Sequence, residues 1–374
     1  MTTEREMKKS SSESPPLSFS SLPYDVILNC LARVSRIHYP TLSLVSKDLR
    51  SLITSTELDT TRSNIGKTES FSYVCLDINK NSPNPSWFTL SPNPKQHLKF
   101  QPITSFPYAH PKSSTVCSFG SEIYLIGGFI NETRSNRVFI LDCRCHQWRR
   151  LPEMRLSRVN AAADVIDGNL YVIGGSESNN IEDWGEVYDL KTQTWKPLLP
   201  RALDHTNHMR VVQGSLVMSG KVYNMDGLEL ELKKNLLLVE IKMNMLCLIS
   251  VSHGNLIWRD PVEGSKWRKV KLIWRDQNKN LESPYSYFRN RMSVFVTNSG
   301  GGRRSVMLWW KTSVYVRRGG WEIPKTAISC AEVSFERRSL RELWGFVEWY
   351  KNVFLLEGRD SDPDFFLHSA FVTH

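Results

Sequence analysis

The sequence predicts a small all-α N-terminal module followed by a large all-β propeller of about six blades. Two patterns support this prediction. Apolar residues between positions 22 and 53 recur every three or four residues, and an apolar strand with paired glycines and a later tryptophan repeats at an offset of 47 residues. In addition, 12 Trp, 12 Tyr and 16 Phe beside 20 Gly and 18 Pro favour many short strands in a chain of 374 residues.

The composition excludes several classes of protein. No apolar run approaches the roughly 18 residues of a membrane span, and the N-terminus has no apolar core of a signal peptide. Seven cysteines without a CxxC pair do not form a disulfide framework. We therefore expect an intracellular protein, in the cytoplasm, the nucleus or both, with no membrane partner.

The N-terminal region divides into a tail and a helical module. Residues 1–21 are rich in serine and charge, so they cannot bury enough surface to offset the entropy of ordering, and we predict a disordered tail. From Tyr24 onward the apolar spacing is that of an amphipathic helix, and a second apolar stripe runs from Leu42 to Ile53. A module over residues 22–66 is too small to be stable alone, so we expect it to complete its core against a partner.

Two stretches of this module resemble an F-box: LPYDVILNCLARV from Leu22 and LSLVSKDLRSLI from Leu42. In that family the Leu-Pro opening, the leucines of the first helix and the Leu-Val-Ser-Lys stretch form the surface that docks on a Skp-like adaptor of a cullin-RING ubiquitin ligase. The resemblance therefore implies adaptor binding by residues from both stretches: Leu22, Pro23, Leu28, Leu31, Leu44, Val45 and Lys47. For Leu28 and Leu31 the alternative is that they fill the module's own core.

An internal repeat follows the module. Residues 123–128 read IYLIGG and residues 170–175 read LYVIGG, 47 residues later. A repeat of this length predicts an array in which each unit is one four-stranded sheet. Glycine pairs permit a tight turn after a buried strand, and tryptophans can pack between neighbouring sheets. The positions to which we assign this structural role are Gly127, Gly128, Asp142, Trp148, Gly174, Gly175, Asp189 and Trp195.

This pattern resembles the kelch repeat, in which an apolar strand ends in Gly-Gly and is followed by spaced Tyr and Trp. The resemblance implies a kelch-type β-propeller over residues 67–374, with the apolar strand as an inner strand near the axis. Clear repeats cover about 116–162 and 163–210, and later copies, beginning with Gly220–Gly227, are degenerate. Dividing about 300 residues by the repeat length predicts about six blades, with five or seven as alternatives, closed by pairing of the end strands. Taken together, the chain resembles plant F-box/kelch-repeat proteins.

No catalytic or metal-binding constellation accompanies these repeats. GxSxG, HExxH and P-loop motifs are absent, and Gly300–Arg304 lacks the Gly-Lys-Ser/Thr ending of a phosphate cradle. His205 and His208 lack a third and fourth ligand, and the positions that match Cys143–His146 in the next repeat hold ordinary turn residues. We therefore predict no catalytic residue, no metal and no cofactor, so the chain is not expected to be an enzyme.

Positive charge is concentrated late in the chain. The net charge is +10, and residues 255–341 carry 18 Lys and Arg against 7 Asp and Glu. This segment favours an acidic target, or else it consists of Arg-rich strand faces without a partner. We do not expect nucleic acid binding, because no zinc finger, helix-turn-helix or RNA-binding aromatic motif accompanies the charge.

The resemblance implies the substrate-receptor subunit of an SCF-type E3 ubiquitin ligase. The F-box docks on a Skp-like adaptor, and through it on the cullin-RING ligase, while the propeller binds the protein to be ubiquitinated and degraded. Candidate target-binding segments are residues 130–137 and 176–184, although Trp184 has the alternative role of stabilising neighbouring blades. The alternative function is a kelch scaffold for protein–protein interaction that recruits no ligase.

Overall fold

The computed structural model divides the chain into two compact units, Met1–Thr68 and Glu69–His374. The structure describes residues 21–78, 84–90, 100–178, 180–198, 210–212, 215–218, 221–226, 229–242, 245–261, 266–275, 294–299, 305–318, 320–358, 360, 362 and 364–373. Several predicted features lie outside the described residues: positions 1–20 of the tail, His205, His208, Gly220, Gly227 and the turn Gly300–Arg304.

The first unit is helical, as predicted. Its helices are α1 (Tyr24–Arg33), α2 (Tyr39–Leu42), α3 (Lys47–Ile53) and α4 (Thr56–Asn64), with a 3-10 helix at Arg36–His38. Serines begin α3 and α4, because the hydroxyl of Ser46 accepts a hydrogen bond from Leu49 N at 3.1 Å and that of Ser55 from Leu58 N at 3.2 Å.

The core of the helical unit consists of apolar residues from α1 to α4. These are Ile27, Leu28, Leu31, Ala32, Tyr39, Ile53 and Leu58. One buried cation, Arg62 of α4, donates to the carbonyl oxygens of Ala32 (2.9 Å) and Val34 (2.7 Å) and to the hydroxyl of Tyr39 (3.2 Å). These hydrogen bonds tie α4 to α1 and α2, because a buried guanidinium needs polar partners.

The second unit is all-β, as predicted, and its described strands form five large sheets, which we number as blades 1–5. Blade 1 contains β1 (Ser70–Leu76), β2 (Ser86–Leu90), β3 (Phe100–Pro102) and β26 (Phe366–Thr373). Blade 2 contains β4 (Thr115–Phe119), β5 (Glu122–Ile126), β8 (Val138–Asp142) and β9 (Gln147–Arg150), with a hairpin of β6 (Phe129–Ile130) and β7 (Thr133–Arg134) between β5 and β8. Blade 3 contains β10 (Ala162–Ile166), β11 (Asn169–Ile173), β12 (Gly185–Asp189) and β13 (Thr194–Leu198), with a 3-10 helix at Ile181–Asp183.

The later blades have more or longer strands. Blade 4 contains β14 (Arg210–Val212), β15 (Ser215–Met218), β16 (Lys221–Asp226), β17 (Glu229–Lys242), β18 (Met245–Ser252), β19 (Asn255–Arg259) and β20 (Arg268–Lys269). Blade 5 contains β21 (Lys271–Trp274), β22 (Val294–Asn298), β23 (Ser305–Arg318), β24 (Trp321–Ser339) and β25 (Glu342–Glu357). Neighbouring strands are antiparallel, except that β21 runs parallel to β25.

The five blades form a closed ring. β4 contacts β26 of blade 1 and β10 of blade 3, β10 contacts β15 of blade 4, and β22 of blade 5 contacts both β17 and β26. Apolar clusters fill the space between neighbouring sheets. β26 pairs with β1, with Ser70 opposite Thr373, so blade 1 is built from both ends of the unit, as predicted.

The predicted number of about six blades is wrong, because the described strands form five. The prediction assumed that every blade uses as much chain as one 47-residue repeat. Blade 4 instead has seven strands, and β23, β24 and β25 of blade 5 are 14, 19 and 16 residues long. These two larger blades contain the residues that were expected to form a sixth blade.

Blades 2 and 3 correspond to the two clear copies of the repeat. Each strand of blade 2, from β4 to β9 without the hairpin, begins 47 residues before its counterpart in blade 3. The apolar run Ile123–Ile126 lies in β5, which is second in its sheet; β4 is the innermost strand. The run in β5 is buried because β4 and β8 flank it and neighbouring blades cover both faces of the sheet.

Candidate functional site

The helical unit exposes apolar side chains in two segments, which we call its apolar surface. Leu44 and Val45, in the turn after α2, are 75% and 68% exposed, and Leu22, Tyr24 and Val26, at the start of α1, are also exposed. Single exposed apolar residues are common, but five in so small a unit are typical of an interaction surface.

The turn that carries Leu44 and Val45 is held by hydrogen bonds. The amides of Leu44 and Val45 each donate to a carbonyl of α2 at 3.1 Å. Arg50 of α3 donates through Nε to the carbonyl oxygen of Ser43 at 3.0 Å, and Ser46 caps α3 directly after the turn. The two apolar side chains are therefore presented by an ordered turn between two helices.

The structure separates the predicted adaptor-binding residues into two groups. The exposed ones are Leu22, Pro23, Leu44, Val45 and Lys47. Leu28 and Leu31 instead pack in the core of the helical unit, where they are 6% and 4% exposed. Tyr24 and Val26 were not predicted to bind the adaptor, because apolar spacing in α1 identifies its apolar positions without showing which of them remain exposed.

The two Gly-Gly pairs form equivalent turns in blades 2 and 3. The amide of Gly127 donates to the carbonyl of Arg137 at 2.9 Å, and that of Gly174 donates to the carbonyl of Trp184 at 2.7 Å. All four glycines have φ between 61° and 93°, a region that residues with a Cβ rarely adopt.

These turns also leave too little space for a side chain at Gly127 and Gly175. A Cβ on Gly127 would lie 2.2 Å from the carbonyl oxygen of Arg158, and one on Gly175 would lie 2.3 Å from that of Val159. In each case the backbone segment leading into blade 3 passes directly against the turn.

Asp142 and Asp189 organise the turns that follow β8 and β12. Oδ1 of Asp142 accepts a hydrogen bond from the amide of Arg144 at 2.9 Å, and Oδ1 of Asp189 accepts from the amides of Lys191 (2.8 Å) and Thr192 (3.1 Å). These bonds from Thr192 and Lys191 lower the pKa of Asp189, because they stabilise its carboxylate form.

Trp148 and Trp195 make matching contacts. The indole Nε1 of Trp148 donates to the carbonyl of Thr104 at 3.3 Å, and that of Trp195 donates to the carbonyl of Pro152 at 2.9 Å. The Trp148 ring also packs edge-on against Trp87 of blade 1, with centroids 5.6 Å apart. Each tryptophan thus donates a hydrogen bond to the connection that precedes its own blade.

Trp184 is buried at the boundary of blades 3 and 4. It is 5% exposed and belongs to an apolar cluster with residues of both blades: Ala162, Ile173, Leu198, Leu216, Met218 and Tyr223. These contacts fit its alternative role as a stabilising residue. In the same predicted target-binding segment, position 179 and the side chain at position 181 lie outside the described residues.

A buried ion pair in blade 3 was not predicted from the sequence. Arg158 Nε lies 2.8 Å from Glu186 Oε1, and both side chains are at most 1% exposed. The signal available in the sequence was Glu186 itself, a charged residue within an apolar strand at the position where the preceding repeat has Phe139.

A groove of about 900 Å³ opens beside the hairpin of β6 and β7. It is lined by residues that precede β4 and by the hairpin: Asn84, Pro107, Tyr108, Ala109, His110, Lys112, Ser113, Phe129, Asn131 and Glu132. One wall is fixed by Asn84, whose Nδ2 donates to the carbonyl of Tyr108 at 2.8 Å and whose Oδ1 accepts from the amide of His110 at 2.9 Å.

The other wall is the hairpin, which includes part of the predicted target-binding segment 130–137. Asn131 and Glu132 both have positive φ, 48° and 64°, as a two-residue turn between twisted strands requires. Lys112 and Phe129 exchange backbone hydrogen bonds of 2.9 and 2.7 Å. Both walls of the groove are therefore ordered before any partner binds.

Three histidines are buried, and one of them, His110, lines this groove. Burial lowers the pKa of His110 and of His146 to about 4, and it lowers the pKa of His368 well below its usual value. Nε2 of His146 lies 3.0 Å from the hydroxyl of Tyr73, and Nε2 of His368 lies 3.0 Å from Oγ of Ser114. These hydrogen bonds hold neutral imidazoles between blades 1 and 2.

The described residues offer no group of three or more His, Cys, Asp or Glu side chains that could hold a metal ion. In the Cys143–His146 segment, burial raises the pKa of Cys143, and His146 is engaged by Tyr73. Every helix in the described ranges is too short or too polar to cross a membrane.

A helical module with an exposed apolar surface, followed by a β-propeller with Gly-Gly turns, defines a class of two-domain proteins. Comparison with known families places the chain within it. The F-box domain model matches residues 19–61, and the model named FKB95, Kelch-repeats domain, matches residues 87–354. The chain belongs to the F-box/kelch-repeat family.

Relatives from Arabidopsis thaliana agree with this assignment. The chain is 54% identical to the putative F-box/kelch-repeat protein At3g46050 over the whole of both chains. It is 52% identical to the putative F-box/kelch-repeat protein At5g03000, over 99% of this chain and 93% of that one. It is 49% identical to the F-box/kelch-repeat protein At5g03020, over 99% of each.

Proposed function

We propose that the chain is the substrate-receptor subunit of an SCF-type E3 ubiquitin ligase, in which the helical unit binds a Skp-like adaptor and the propeller binds the protein to be ubiquitinated. The observation that carries this proposal is the exposure of Leu44 and Val45 within the region that matches the F-box model. An intracellular location, in the cytoplasm, the nucleus or both, follows from this role.

The proposed mechanism is proximity. The chain itself does no covalent chemistry; by binding the ligase and the target together it raises the effective concentration of target lysines near activated ubiquitin. A receptor of this kind needs two ordered docking surfaces. The apolar surface of the helical unit is the proposed site for the adaptor, and the groove beside the hairpin of β6 and β7 is the proposed site for the target.

Adaptor binding is tested by co-purification of the full chain with a Skp-like protein. We expect the wild type to retain the adaptor and Leu44→Glu combined with Val45→Glu to lose it, because two charges would replace apolar contacts. Leu340→Glu is the matched control, since Leu340 is similarly exposed, at 67%, in the β-unit. Pro23→Ala tests the start of α1.

The outcomes separate the two candidate functions. If the wild type and the control retain the adaptor and the double variant loses it, the result supports the substrate-receptor function. A wild type that folds but retains no adaptor contradicts it and favours the scaffold that recruits no ligase.

Target binding is tested by proximity labelling in plant cells. A chain without residues 22–66 is expected to trap targets that the full chain sends for degradation. Replacing Tyr108 and Phe129 by Ala is expected to remove those proteins from the labelled set, because both rings line the groove. Tyr315→Ala is the matched control, because Tyr315 is an exposed aromatic residue of blade 5. Equal loss of labelled proteins in both variants would exclude the groove as the target-binding site.

A further inference from the structure

Blades 4 and 5 are joined at their outer edges by a short basic segment. β20 is the last strand of blade 4, and β21 begins two residues after β20 ends and pairs in parallel with β25 of blade 5. Val270, between them, is buried and donates its amide to the carbonyl of Leu256 at 2.9 Å. Residues 266–275 read KWRKVKLIWR, with five cations and no acidic residue.

Aromatic rings position several cations at this edge. Lys271 Nζ lies 5.4 Å from the ring of Trp344, the guanidinium of Arg338 lies 4.0 Å from the same ring, and that of Arg275 lies 4.8 Å from the ring of Phe346. Cation–π contacts of this kind hold the side chain while its charge remains solvated. All three cations are exposed, at between 44% and 58% of the side chain.

The segment also presents one pair of cations at alternate positions. Lys269 and Lys271 are exposed on either side of buried Val270. Alternate residues of an extended strand lie about 6.6–6.8 Å apart on one side, which is also the spacing of alternate side chains in an extended peptide. Lys266 and Lys269 form no ion pair with any residue in the described ranges.

We propose that this basic edge, formed by residues 266–275 together with Arg338, Trp344 and Phe346, binds an extended acidic segment of a partner protein. Its cations already bind carboxylates, since Arg275 pairs with Glu348 at 2.8 Å and Lys271 pairs with Glu342. Exposed pairs of this kind contribute little to stability, so carboxylates of a partner can replace them or add to them.

One feature favours an acidic protein over nucleic acid. Single-stranded nucleic acid binds by stacking bases on open aromatic rings, whereas Trp344 and Phe346 are covered by Lys271, Arg338 and Arg275.

The inference rests on the proposed function only in taking the acidic segment to belong to the target. It is therefore tested on the purified full chain without adaptor, so its failure is distinct from failure of adaptor binding. The probe is a fluorescein-labelled peptide of about twelve residues with alternating Glu and Ser, long enough to extend along the edge. Binding is measured by fluorescence anisotropy at several salt concentrations.

Charge reversal locates the site. We expect Lys269→Glu and Lys271→Glu each to weaken peptide binding about tenfold at low salt, because attraction becomes repulsion. Arg317→Glu is the matched control: it makes the same change in net charge in blade 5, at an exposed Arg distant in sequence. It is expected to change affinity by less than about twofold. Thermal denaturation confirms that all three variants are folded.

Each of the following outcomes would overturn the proposal. No peptide binding by the wild type, or equal loss in Lys271→Glu and Arg317→Glu, shows that the basic edge is not a specific site. Equal binding of an alternating Lys and Ser peptide excludes charge complementarity. Tighter binding of an oligo-dT strand of equal length than of the acidic peptide assigns the edge to nucleic acid instead.

Discussion

Arg158 and Glu186 form a buried ion pair that links the Gly-Gly turns of blades 2 and 3. The side chain of Arg158 donates to Glu186 and to the carbonyl oxygens of Gly174 (2.8 Å) and Asp183 (2.9 Å). Its own carbonyl oxygen accepts a hydrogen bond from the amide of Gly128 at 2.8 Å. One residue therefore connects the two copies of the repeat.

Replacing Arg158 by Met is expected to lower the free energy of unfolding of the propeller by about 3–5 kcal/mol, because Glu186 would be left as an uncompensated buried charge. All 12 tryptophans lie beyond residue 86, so tryptophan fluorescence during urea unfolding reports on the β-unit. Arg317→Met removes an exposed pair with Glu322 and should cost less than about 1 kcal/mol. Equal effects of the two substitutions would contradict the prediction.

Gly127→Ala is expected to destabilise the propeller much more than Gly168→Ala. Both glycines have positive φ, 61° and 74°, which costs a residue with a Cβ about 1–2 kcal/mol. Only at Gly127 would the new Cβ also lie 2.2 Å from a backbone oxygen; at Gly168 nothing lies within 4 Å. The same fluorescence measurement gives both values, and similar losses would mean that the close approach has no energetic effect.

Acid is expected to destabilise the β-unit through its buried histidines. The pKa values of His110 and His146, about 4 in the folded protein, lie below the ordinary 6.5, so the unfolded chain binds more protons between these values. The contribution of these histidines to the free energy of unfolding is complete above pH 6.5. It falls as the pH drops to about 4, by on the order of 3 kcal/mol for each histidine.

Unfolding by urea at a series of pH values measures this dependence. His146→Gln keeps a polar group near Tyr73 and is expected to flatten the pH profile. The same substitution at His253, an exposed histidine, serves as the control and should leave the slope unchanged. A slope that His146→Gln does not alter would show that this histidine does not cause the acid sensitivity.

Leu28→Ala and Leu44→Ala should differ in stability, because Leu28 lies in the core of the helical unit and Leu44 lies on its surface. Leu28 is in the core, so its truncation is expected to cost about 2–5 kcal/mol, whereas truncation of exposed Leu44 should change stability by less than about 0.5 kcal/mol. Far-UV circular dichroism reports on this unit, because it contains all the α-helices of the described residues. Loss of helix in Leu44→Ala would show that this turn supports the fold.

The sequence predicted the features that depend on local constraints. The 47-residue repeat was visible because Gly127 and Gly174 occupy backbone conformations that favour glycine, and Asp142 and Asp189 form turns within a few residues. Such requirements are satisfied close to the residue itself, so they leave a direct pattern in the sequence.

Features that depend on distant contacts were predicted less well. The number of blades was wrong because nothing in the repeat limits the length of β23 to β25. The burial of Leu28, and the pairing of Arg158 with Glu186 28 residues away, depend on how elements pack. Sequence periodicity identifies an apolar or charged position, but tertiary packing decides which partner covers it.

The pairing of β26 with β1 has a consequence for synthesis of the chain. β26 is synthesised after every other described strand, and nearly 300 residues separate it from β1, with Ser70 opposite Thr373. The ring therefore cannot close until the whole β-unit has been synthesised, and closing so long a loop carries a large entropic cost before any contact forms. A premature stop before Phe366 would release a nascent propeller whose first blade has lost its innermost strand, and such a product would expose an apolar sheet edge to aggregation or to quality control.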